Sequence, residues 1–187
     1  MALLIAGVLL WSLMHFLPAA DVGFRKKLIA RFGENPYKGI FTLFMALAIY
    51  LIISGWKATI PQVLYLPPEW GRQVAALLML VGFILFFAPY PANNFKRVLR
   101  HPQLTGLLCW GVGHLFANGE GRSLVLFGGM TAWAVLQIIL INRRDGAWTR
   151  PEPAPLKNDI GLVGLGVVVY SAIVFSHAWL FGVAPMA

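Results

Sequence analysis

The chain has 187 residues, of which 59% are hydrophobic and only 12% charged, yet its formal net charge is +8. A disordered chain needs low hydrophobicity and high charge, and a soluble domain carries roughly 25% charged residues to cover its surface. With a mean hydropathy of +0.73, these figures exclude both classes and imply an all-α integral membrane protein whose first partner is the lipid bilayer.

Six apolar runs of near-spanning length follow one another: residues 3–18, 39–56, 74–90, 104–118, 124–142 and 160–183. Each is nearly free of charge, and a span needs ~20 apolar residues. The first run has no Lys or Arg before it and no small-x-small pattern after it, so it is expected to stay as a helix and not to be removed as a signal peptide. The fourth is the shortest, with His101 placed to cap it and Pro102 in its first turn, where proline is tolerated. Single-residue features add little. Cys109 excludes an intrachain disulfide and reads as a packing residue. Asn118, Glu120 and Arg122 read as a tight turn. No internal repeat supports a two-half transporter. The expected architecture is a polytopic bundle of about six transmembrane helices in one domain, 1–187.

The loops give the direction. Arg25, Lys26, Lys27, Arg31 and Lys38 lie in the first loop, Lys96, Arg97 and Arg100 in the third, and Arg143, Arg144, Arg150 and Lys157 in the fifth. Only Lys57, Arg72 and Arg122 lie in the second and fourth. Twelve of the fifteen basic residues thus fall on one side, which the positive-inside rule makes cytoplasmic. Both termini then face the periplasm, if the membrane is a bacterial inner membrane. The basic excess is orientation charge, and nucleic acid is not an expected partner, since no soluble basic face remains to read it.

No Asp, Glu, Lys or Arg lies within the six runs, which disfavours a proton pump, an ion-coupled transporter and a di-iron carboxylate bundle. Four histidines remain: His15, His101, His114 and His177. At ~1.5 Å per residue, His15 lies ~12 Å and His114 ~15 Å from the cytoplasmic face of a ~30 Å core. His101 falls at that face and His177 near the outer one. Depth therefore selects His15 with His114 as a pair that could share one metal. Glycines beside His114 (Gly106, Gly111, Gly113) admit a flat ring, and a bare catalytic metal usually wants a third protein ligand. Two axial histidines between apolar walls suit haem b. Its propionates would face Arg100, His101 and Arg25. The alternative, in which the histidines only bond between helices in a scaffold or small-molecule permease, stays open at this point.

Three stretches resemble a known family: RHPQLTGLLCWGVGHLFANGEGRSLVLFGGMTAWA (100–134), WSLMHFLPA (11–19) and GENPYKGIFTLFMALAIYLII (33–53). They are similar to the NnrU family of bacterial inner-membrane proteins, named for an association with denitrification genes. The resemblance covers nearly the whole chain, and RHP with GHLFANG is its most specific part. It implies a haem b protein with His15 and His114 as axial ligands to the iron. It gives His101 no ligand role and does not place His177. The family's relatives include 15-cis-zeta-carotene isomerase, a haem b membrane enzyme. The resemblance therefore implies two activities: a haem protein of nitrogen-oxide metabolism, with nitric oxide as a candidate small molecule, or a cis-trans isomerase of a hydrophobic polyene.

Overall fold

The computed structural model describes residues 1–185; the last two residues of the expected domain, Met186 and Ala187, lie outside them. Every apolar run is a helix. In chain order the elements are α1 (Ala2–Ala20), α2 (Val22–Phe32), α3 (Glu34–Ala58), α4 (Gly71–Phe87), α5 (Phe95–Val98), α6 (Pro102–Ala117), α7 (Gly121–Asp145) and α8 (Leu156–Phe181). Among the described residues there is no β-strand, only an isolated bridge between Val63 and Glu120. Four helices, α1, α3, α7 and α8, are long and apolar enough to cross a membrane. α4 has 17 residues and α6 has 16, a rise of about 25 Å against a ~30 Å hydrocarbon core.

Two loops differ from expectation. Residues 19–38 contain α2 and residues 91–103 contain α5. In α2, Phe24, Leu28 and Phe32 recur every four residues, a helical period that the intervening charges obscure. Its ends carry the usual signals. The Asp21 carboxylate accepts the Phe24 N–H at 2.9 Å, and Gly33 adopts φ +88° to turn the chain into α3.

The chain divides into two compact units. The first comprises Met1–Tyr65 and Glu120–Ala147; the second comprises Leu66–Gly119 and the described residues from Trp148 on. In the first unit α1 packs on both α3 and α7. The contacts with α3 are made through glycine. A Cβ on Gly7 would press on Ile52 and the Ala48 carbonyl at 2.8–2.9 Å, and one on Gly55 would collide with the Leu4 backbone. Leu4 and Ala48 are wholly buried there. At one end of this unit the Met1 amino group donates to Thr59 Oγ1 at 2.5 Å. Glu120 pairs with Arg122 at 2.7 Å, and Arg122 covers the Trp56 ring at 4.5 Å. These contacts give the expected turn at residues 118–122 its anchors. α7 opens into one π-helical turn at Leu124–Gly128, where Phe127 is buried edge-on against Trp56.

In the second unit α4 packs on α6 and α8. Gly82 and Gly106 face one another, so that a Cβ on Gly106 would stand 2.7 Å from the Gly82 carbonyl oxygen. Gly166 of α8 rests in the same way on Ile84 of α4. The start of α8 is clasped to the turn before α5: the Asp159 carboxylate accepts from the Asn94 backbone N–H at 2.7 Å and from its side-chain amide at 2.6 Å. Asn94 also exchanges bonds with Ala154.

Gly55→Ala should lower stability by ~1–3 kcal/mol, the usual cost of overpacking. It is read as a depressed thermal midpoint of the detergent-solubilised protein. Gly161→Ala is the matched control, since its added methyl meets nothing within 4 Å and should leave the midpoint unchanged or slightly raised.

Candidate functional site

His15 lies in the last third of α1, in the first unit. Its Nδ1 stands 2.9 Å from the Trp11 carbonyl oxygen, one helical turn back. A carbonyl only accepts, so Nδ1 carries a proton, and in the neutral ring the lone pair is on Nε2. Three rings from three helices hold the imidazole plane. They are Trp11 of α1 at 4.6 Å between centroids, Trp133 of α7 at 5.1 Å and Phe41 of α3 at 5.5 Å. Trp133 and Gln137 are 6% and 7% exposed, so both exceed nine-tenths burial. The Gln137 amide reaches the His15 carbonyl at 3.5 Å, a long bond.

Buried polar atoms cluster around this ring. Among the described residues, Trp11 Nε1, Trp133 Nε1 and Gln137 Oε1 are buried without a hydrogen-bond partner. Leaving such a group unpaired costs ~1–3 kcal/mol. The surroundings of His15 are therefore built to receive a polar atom as well as an apolar face.

His114 lies in the second unit, near the end of α6, and repeats the arrangement. Its Nδ1 stands 2.9 Å from the Trp110 carbonyl oxygen, again four residues back, and the Trp110 ring lies 5.3 Å from it. The Asn118 amide donates to the His114 carbonyl at 2.9 Å and closes the helix end. Here too the lone pair is on Nε2. Beside Trp110, α4 and α6 form an apolar groove of about 250 Å³, walled by Phe83, Phe86 and Met79, with Gly82 and Gly106 among its lining residues.

The other expected residues lie elsewhere on their own elements, although His177 of α8 is near enough to His114 to act on it electrostatically. His101 occupies the N-cap position of α6, with Pro102 in the first turn as expected. Its carbonyl accepts from both the backbone N–H and the hydroxyl of Thr105, at 2.9 and 3.0 Å. Arg100 precedes it, and His114 lies ~20 Å further along the same helix. Arg100 and His101 thus sit at one end of α6 and His114 at the other. His177 Nδ1 bonds the Val183 carbonyl at 2.6 Å and its ring packs on Phe181, a local role at the end of α8. Cys109 is half-buried. Among the described residues no three of His, Cys, Asp and Glu gather as metal ligands. The donor chemistry on offer is one neutral imidazole nitrogen in each unit.

Reading the sequence missed the matched spacing Trp11-x-x-x-His15 and Trp110-x-x-x-His114, which places a ring beside each histidine on its own helix. It also missed Gln137, a polar residue inside an apolar run and so a functional signal by default.

Nitrogen-15 NMR of the purified protein should show His15 and His114 in the tautomer protonated at Nδ1. A proton on Nε2 of either would contradict the geometry.

No curated protein matches the chain, and no solved structure does. The family described as NnrU protein matches residues 3–185, which takes in both compact units. By that match over nearly its whole length, and with the paired Trp-x-x-x-His turns inside the matched region, the chain belongs to the NnrU family.

Proposed function

We propose that the chain is a haem b-binding integral membrane protein in which His15 and His114 would hold the iron through their imidazole nitrogens. The observation that carries this reading is the shared lock: both rings give their Nδ1 proton to a carbonyl one turn back, and so both present an Nε2 lone pair. A metal-binding histidine needs this arrangement, because the outer hydrogen bond fixes the tautomer and ring plane and raises basicity. The donor set, two nitrogens with aromatic and glycine surroundings, fits the group. When bound, haem b supplies a redox-active iron in a flat apolar macrocycle. The chain's own contribution is steric and electrostatic. Trp11, Trp133 and Phe41 hold the His15 ring and exclude water from it, and the indole N–H groups with Gln137 offer hydrogen bonds at its edge.

The topology belongs to the same proposal. Six spans with both termini periplasmic, in the bacterial inner membrane, follow from the one-sided basic loops. The proposed role in nitrogen-oxide metabolism rests on the resemblance to a family named for its association with denitrification genes. A second reading, isomerisation of a hydrophobic polyene, is favoured by the apolar groove beside Trp110, which is one turn from His114.

Expression with ample haem should yield a Soret band that His15→Ala and His114→Ala each abolish and His177→Ala retains. A band that survives both of the first two variants would overturn the ligand assignment. The two activities separate in cells that lack other carotene isomerases. Conversion of a supplied cis-carotene would favour the isomerase, and a spectrum that answers nitric oxide with no carotene conversion would favour the nitrogen-oxide role.

A further inference from the structure

The twelve basic residues on one side serve, in the sequence, only to set orientation. Four of them have a more specific setting. Arg25, Lys26, Lys27 and Arg31 all belong to α2, an eleven-residue helix with no buried residue. All four are exposed. Among the described residues none of them pairs with a carboxylate; the ion pairs there are Lys38 with Glu34, Arg122 with Glu120 and Arg144 with Asp145. The nearest acids are already engaged, Asp21 in capping α2 and Glu34 in its pair with Lys38.

The rest of α2 is apolar in a way water does not favour. Phe24 is 43% and Phe32 52% exposed, while Val22, Leu28 and Ile29 are half-buried. α2 packs on α1 and α3, two helices of membrane-spanning length, and joins the end of one to the start of the other. A helix so placed lies where hydrocarbon gives way to headgroups. Between the three helices is an apolar pocket of about 50 Å³, walled by Met14, Leu17, Phe24, Leu28 and Phe41, and Arg25 also lines it. Arg25 further stacks over Tyr37 at 5.9 Å, which holds the guanidinium near the pocket. Cationic groups, bare aromatic rings and a small apolar recess thus meet on one short helix.

We infer that α2 and the pocket beneath it form a binding site for an anionic phospholipid, with the headgroup phosphate at Arg25, drawn there by the field of Lys26, Lys27 and Arg31, and acyl chain against Phe24 and Leu28. The charge complementarity selects this occupant. A basic helix with exposed phenylalanines at the end of a membrane span suits the interface of an anionic leaflet, and each Lys or Arg near such a surface adds to its attraction. The pocket shares Phe41 with the surroundings of His15, but the lipid preference is read on protein without added haem and without either activity proposed above.

The test uses the full-length protein in mild detergent, titrated with phosphatidylglycerol or with phosphatidylcholine, with bound lipid counted by native mass spectrometry and the thermal midpoint followed alongside. Phosphatidylglycerol should bind about tenfold tighter and raise the midpoint, and added salt should erode that preference. Replacing Lys26, Lys27 and Arg31 by glutamine should remove the preference. Replacing Arg143, Arg144 and Arg150 by glutamine, an equal loss of charge, should keep it. Arg25→Gln alone should weaken phosphatidylglycerol binding severalfold. Equal binding of the two lipids, equal loss in both triple variants, or the same midpoint shift from inorganic phosphate alone would overturn the site. Should a triple variant fail to fold, Arg25→Gln against Arg150→Gln decides the matter: equal phosphatidylglycerol binding by the two would overturn the site.

Discussion

Among lipid tails, apolar side chains gain little by leaving hydrocarbon for one another, so helices associate where their backbones can come close. This chain meets that condition in both of its units with glycine. Gly7 and Gly55 let α1 lie against α3, and Gly82 with Gly106 lets α4 lie against α6. At each crossing a single methyl group would meet main-chain atoms, which cannot swing aside as a side chain can. The helices that carry His15 and His114, α1 and α6, are the ones held in this way.

The histidines then inherit their geometry from the helix itself. A ring nitrogen bonded to the carbonyl four residues back needs no partner from another element, so the tautomer of each imidazole is decided locally. What packing adds differs between the two. Around His15, α3 and α7 contribute Phe41 and Trp133, and α7 brings the buried amide of Gln137. Around His114, α4 and α6 leave an apolar groove beside Trp110. Buried hydrogen-bonding side chains mark the first surrounding, and apolar side chains with glycine line the groove beside the second.

Much of this was legible in the sequence, for physical reasons that can be named. An uncharged run of fifteen or more apolar residues has few alternatives to a helix, and the six runs differ from the observed helices by only a few residues at their ends. The choice of His15 with His114 rests on the one-sided basic loops, through the helix directions and depths they imply. The fixed turn of the helix also made the Trp-x-x-x-His spacing readable, although it was not read. α2 was hidden because its Phe24, Leu28 and Phe32 are separated by four basic residues, which read as loop charge. The clasp between Asn94 and Asp159 joins positions 65 residues apart, and the π-helical turn at Leu124–Gly128 has no composition of its own. Neither leaves a local trace. Gln137 was visible as a polar residue in an apolar helix, but its place beside His15 comes from tertiary packing alone.

The central claim is that two neutral imidazoles, each fixed through Nδ1, act together on one haem iron. Low-temperature electron paramagnetic resonance of the oxidised, haem-loaded protein tests this most directly. The account predicts a low-spin ferric signal of the bis-imidazole type. A high-spin signal, or a low-spin signal unaltered when His114 is replaced by alanine, would contradict it.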